Sequence, residues 1–132
     1  MADDAAFRHR IRVRYGEVDM QGVVFNAHYL AYVDDAADSW LRTVDVHFER
    51  LGWDLMLKKA TVEWQGAAGI GDELDIAVRV SRWGNTSLDM TFDGRVGERP
   101  VFTAVVTYVG VKAGTKEPTP PPPEVRALLD PK

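Results

Sequence analysis

From Phe7 to Tyr15 the chain alternates strictly. Phe7, His9, Ile11, Val13 and Tyr15 fall on one face, and Arg8, Arg10, Arg12 and Arg14 on the other. A period of two marks a strand with one buried face, so 7–15 is predicted as a half-buried strand. The period then changes: Tyr29, Val33, Ala36, Ala37, Trp40, Leu41 and Val44 recur at intervals of three and four, with Asp34, Asp35, Asp38 and Arg42 opposite. This spacing predicts one amphipathic helix over about 27–43, for which Asn26 is a suitable N-cap. A second short helical stretch is expected around 45–52, ended by Gly52.

Beyond Gly52 the pattern is β-rich. Val62 and Trp64 alternate with Glu63 and Gln65; after the turn G-A-A-G-I-G-D, Leu74, Ile76, Val78 and Val80 alternate with Asp75, Ala77 and Arg79. Gly84-Asn85 reads as a tight hairpin turn, and Leu88, Met90 and Phe92 face inward in the strand that follows. Segment 101–111 is apolar enough to be covered on both faces, which predicts a central strand. The tail from Gly114 through the proline run 118–123 cannot continue a sheet, and E-V-R-A-L-L predicts one docking helical turn. A strand, a helix and then four strands joined by short turns give an α+β arrangement, an antiparallel sheet curled around one helix. Such a sheet leaves edges exposed, so a homo-oligomer is the physical expectation.

Composition narrows the chemistry. At 132 residues the chain forms one domain, 1–132, with 114–132 as a proline-rich tail. There is no cysteine, which excludes disulfides, thiolate metal sites and a cysteine nucleophile. A net charge of -4 argues against nucleic acid as a partner. His9, His28 and His47 lack metal-ligand spacing. No apolar run approaches the roughly 18 to 20 residues that span a bilayer, so no membrane partner is expected. The N-terminus carries acids where a leader would carry bases, and a cytoplasmic location is expected. The arginine row of residues 8–14 could hold phosphates of a ligand, but its ordinary reading is a solvated or subunit-facing sheet surface.

The candidate for chemistry is Asp19, in the turn D-M-Q-G-V-V-F-N-A-H-Y that runs into the helix. A carboxylate beside the free N–H groups of a helix N-terminus is a device for attacking a carbonyl. An ordinary aspartate, pKa about 3.9, is ionised at neutral pH, and Met20, Val23, Val24 and Phe25 are expected to desolvate this one in part. The bland alternative is an aspartate that hydrogen-bonds its own turn.

The stretch Y-G-E-V-D-M-Q-G-V-V-F-N-A-H-Y-L-A-Y-V-D-D-A resembles the signature of hotdog-fold acyl-CoA thioesterases of the 4-hydroxybenzoyl-CoA thioesterase and YbgC type. Asp19, Gly22, Val23, Val24, Phe25 and Tyr29 carry the likeness, with echoes at 71–80 and 83–88. It implies a five-stranded hotdog fold, a homodimer or homotetramer with the site at a subunit interface, and Asp19 as nucleophile or general base on a thioester. It also implies the backbone N–H of Asn26 as oxyanion donor and Tyr15 as a further site residue. Gly22, Val24, Phe25, His28, Tyr29 and Ser87 are the expected substrate contacts. No cofactor is implied, because coenzyme A enters as part of the acyl thioester substrate. The sequence departs from the pattern twice. Asn26 stands where YbgC-like members have histidine, and asparagine cannot exchange a proton near neutral pH. Gly66, Ala67, Ala68 and Gly69 stand where many relatives have R-P-A-R, which removes two contacts to coenzyme A phosphates. The other readings are a hotdog dehydratase or isomerase on acyl thioesters, and a non-catalytic acyl-ligand binding module.

Overall fold

The computed structural model describes residues 5–44 and 48–130. Its elements follow the chain as β1 (Phe7–Arg12), a 3₁₀ turn (Tyr15–Glu17), α1 (His28–Thr43), α2 (Phe48–Leu51), β2 (Trp53–Trp64), β3 (Glu73–Trp83), β4 (Ser87–Val96), β5 (Arg99–Lys112) and α3 (Pro123–Leu129). The strands form one antiparallel sheet in the order β1-β3-β4-β5-β2. This is the expected hotdog fold, with β1 and β2 as its two edges.

The period-two patterns explain the sheet's inner face. Leu74, Ile76 and Val78 of β3, Leu88, Met90 and Phe92 of β4, and Phe102, Ala104 and Val106 of β5 are all buried. They pack on the helix stripe Tyr29, Tyr32, Val33, Ala36, Ala37, Trp40 and Leu41, and Asp34, Asp35 and Asp38 stay exposed. The tail docks as well. Val111 bridges Pro118, the Trp53 indole donates to the Thr119 carbonyl, and Val125 and Leu129 enter the core, so the expected helical turn is a helix of seven residues.

Four expectations need correction. β1 ends at Arg12, not at residue 15. Val13 spends its N–H and carbonyl on Asp72 and Gly71, after which the chain tightens into the 3₁₀ turn and takes Tyr15 out of the strand. Asn26 does not cap α1: the cap position is Ala27, without a side-chain bond, and the helix is entered by tight turns from His28 to Phe25, Tyr29 to Asn26 and Leu30 to Ala27. β2 starts at Trp53, well before Val62, and an irregularity between Leu57 and Lys59 shifts its register; Trp64 is half exposed. β5 is interior, flanked by β4 and β2, but its outer face is covered only in part: Val101 and Val111 are buried, and Val105 between them lies exposed. Of the helical stretch expected at 45–52, residues 45–47 lie outside the described residues, and the chain turns out of α2 at Gly52.

Candidate active site

The loop between β1 and α1 is pinned at both ends and free at its tip. At the base, Val18 bridges Val24, Phe25 N–H donates to the Glu17 carbonyl, Val24 N–H donates to the Ala68 carbonyl, and Val23 bridges Gly69. Val24 is buried and anchors the loop in the core. At the tip, Asp19 N–H donates to the Val23 carbonyl and Gly22 N–H to the Asp19 carbonyl, and Gly22 adopts φ +81, a left-handed conformation that favours glycine.

Asp19 is exposed. Its Oδ1 accepts the Gln21 N–H at 2.8 Å, a local turn bond, and Oδ2 has no hydrogen-bond partner among the described residues. The desolvation expected from neighbours is not supplied within one chain, because Met20 and Phe25 project into solvent. At the loop's end, neither the Asn26 nor the Ala27 backbone N–H donates to a described backbone group, whereas those of Phe25, His28, Tyr29 and Leu30 are all used. Two free donors at a helix entry form a place for negative charge.

The structure adds a residue that sequence reasoning passed over. Glu17 is buried at 7% exposure. Its carboxylate accepts the Arg14 N–H at 2.9 Å, the Arg14 guanidinium at 2.7 and 3.0 Å, and the Tyr32 hydroxyl at 2.9 Å. Burial pushes this carboxyl up, but the bonds from Arg14 and Tyr32 outweigh it and hold it at about 2, against an ordinary 4.5. Burial, followed by the same bond to Glu17, pushes the Tyr32 hydroxyl up. His28 Nε2 lies 3.5 Å from Glu17 Oε2, and the ring packs edge-on to Tyr32. Glu17 therefore joins the 3₁₀ turn to the first turn of the helix. The sequence signal was slight: an acid in the Y-G-E-V-D turn, three residues after Arg14.

Among the remaining expected site residues, Tyr15 is 82% exposed on the 3₁₀ turn, and Phe25 is exposed beside the helix entry. Tyr29 is core: it packs on Phe102 and Trp64, and its hydroxyl accepts the Ala68 N–H at 3.3 Å. Ser87 begins β4 next to the far end of β3 from Gly69, where its Oγ accepts from Arg82, so one chain does not bring it to Asp19. A cavity of about 270 Å³ on the outer sheet face, lined by Arg79, Thr91, Asp93 and Arg95, holds none of these residues. No group of three or more metal-ligating side chains occurs among the described residues. No described helix is long and apolar enough to cross a membrane.

Residues 13–129 match the sequence profile described as the Thioesterase-like superfamily. The Acyl-CoA thioester hydrolase YbgC of Escherichia coli O157:H7 is 34% identical over 92 residues, which cover 64% of this chain and 66% of that protein. The Acyl-CoA thioesterase YbgC of Haemophilus influenzae is 28% identical over 132 residues, covering 96% of each. Among solved structures, a thioesterase superfamily protein from Jannaschia sp. CCS1 superposes with a TM-score of 0.91 at 22% identity, over 98% of this chain and 93% of that one. A 1,4-dihydroxy-2-naphthoyl-CoA thioesterase from Synechocystis gives 0.84 at 19%, over 93% and 94%.

Proposed function

Because the chain belongs to the thioesterase-like superfamily, we propose that it hydrolyses an acyl thioester of coenzyme A or acyl carrier protein to the free acid and thiol. One observation carries the reading: an exposed carboxylate with Oδ2 unpartnered sits on a loop that closes on two unused N–H groups at the entry of α1. Asp19 acts as nucleophile or general base, and the N–H groups of Asn26 and Ala27 receive the charge that develops on the carbonyl oxygen. A thiolate leaves readily, so no acid is needed to expel it, and coenzyme A takes part only as a portion of the substrate. The YbgC relatives, named for acyl-CoA thioesters, support the substrate class.

The site is completed by a second copy. Tyr15, Met20, Phe25 and Ile70 are exposed around the loop, and Met56, Leu57 and Trp64 lie exposed along the open edge strand β2. Apolar surface next to an unpaired edge is the surface a homodimer covers, and covering it would supply the desolvation that Asp19 lacks in one chain. A cytoplasmic setting belongs to the same proposal.

The test is thiol release across a panel of acyl-CoA thioesters, run on wild type and Asp19→Asn. Release by wild type that falls at least a hundredfold in the variant supports the reading. A second reading, a non-catalytic acyl-ligand binding module, is favoured by the turn bond from Gln21 to Asp19 and by asparagine at position 26. It predicts acyl-CoA binding without release from either protein.

A further inference from the structure

We infer that the open edge of β1 forms the seat of the substrate's phosphorylated carrier, with the Arg12 guanidinium as its phosphate ligand. The inference rests on the proposed hydrolysis of a pantetheine thioester.

A groove of about 690 Å³ runs beside β1, and every residue from His9 to Tyr15 lines it, whichever sheet face its side chain takes. A cavity touching consecutive residues of a strand lies along the backbone edge and not over one face. β1 is the outermost strand on that side, so N–H and C=O groups on its outer side have no neighbouring strand. Pantetheine carries two amides, which are complementary to such an edge.

The groove's two ends differ. Tyr15 and Ile70 line one end, next to the loop that bears Asp19, and Ile11 supplies apolar surface along the way. Toward the other end stand Arg10 and Arg12. In a chain of net charge -4 with 16 basic residues, four arginines fall within residues 8–14. Three of these have acidic partners: Arg8 with Asp75 at 3.6 Å, Arg10 with Glu73 at 3.9 Å, and Arg14 with buried Glu17 at 2.7 Å. Arg12 is exposed and has no ion-pair or hydrogen-bond partner among the described residues. The acid that lines the groove, Asp35, is bonded to His9 at 2.8 Å. Arg12 is therefore the arginine of this row left without an acidic partner, and it presents a planar donor fork suited to phosphate. This seat answers, from β1, the basic pair missing at Gly66–Gly69 in the connection between β2 and β3.

Steady-state kinetics on wild type, Arg12→Gln and Arg10→Gln/Arg12→Gln test this, with one acyl group carried by coenzyme A, by pantetheine without phosphate, and by acyl carrier protein. The expected result is KM for acyl-CoA about tenfold or more higher in Arg12→Gln and higher again in the double variant, with kcat and the pantetheine KM unchanged. A rise confined to acyl carrier protein identifies that carrier as the source of the phosphate. An Arg12→Gln enzyme with wild-type KM for both phosphorylated carriers overturns the inference. So does a wild type that takes acyl-CoA and acyl-pantetheine with equal KM, although hydrolysis itself then stands. A wild type that releases thiol from none of the three overturns hydrolysis and this seat together.

Discussion

The Glu17 carboxylate and the Tyr32 hydroxyl meet at 2.9 Å, 15 residues apart in sequence, and this bond ties the turn before Asp19 to the helix that follows it. Because the folded carboxyl is held at about 2 against an ordinary 4.5, its contribution to stability is complete above about pH 4.5 and is lost as pH falls from there toward 2. Glu17→Gln keeps an acceptor for Tyr32 but removes the charge that Arg14 pairs with. It should cost about 1 to 3 kcal/mol near neutral pH. Urea denaturation at a series of pH values should show the gap between wild type and variant closing between pH 4.5 and 2; a gap independent of pH would refute the assignment.

Asp19→Asn should behave in the opposite way. The amide oxygen still accepts the Gln21 N–H, and the side chain is exposed. Stability is expected to stay within about 0.5 kcal/mol of wild type. Turnover is expected to fall ~10²–10⁴-fold. Denaturation curves and thiol release on the same preparation separate the two effects.

Gly22→Ala probes the loop tip alone. A Cβ at Gly22 meets no atom within 4 Å, so the penalty comes only from φ +81. About 1 to 2 kcal/mol is expected from the left-handed backbone. A neutral result in denaturation would mean that the tip can relax to another turn.

Leu57→Asp places a charge on the exposed side of β2, at a residue 48% exposed in the single chain. If β2 pairs with a second copy, two such charges approach across the symmetry axis, and like charges on adjacent strands are destabilising. Sedimentation should show wild type as an oligomer and the variant shifted toward monomer, with hydrolysis falling in parallel. A wild type that sediments as a monomer would remove the shared-site reading.

How far the sequence reached depended on whether a residue's role followed from periodicity. The inner faces of β3 and β4 and the stripe on α1 were legible because each apolar side chain had a period to belong to. The start of β2 was not: Trp53 to Ala60 mix apolar and basic residues, and the irregularity at Leu57 and Lys59 breaks the alternation that would have revealed the strand. In the site, Asp19 was legible because it stands alone in an uncharged turn. Glu17, two positions earlier, was not, because only the folded chain brings Arg14, Tyr32 and His28 around it. The same limit applies to Asn26, whose residue type suggested a cap while the tight turns from Phe25 onward set the helix start at His28.

The loop bearing Asp19 divides its labour along its length. Val18, Val24 and Phe25 take the backbone bonds at its base, while the side chains of Met20 and Gln21 at its crest lie exposed. Replacing either crest side chain is expected to leave folding nearly untouched, because neither is packed within its own chain. Any change that such an exchange makes in assembly or in the proposed hydrolysis would therefore report on contacts from outside the single chain, with the scaffold beneath indifferent to it.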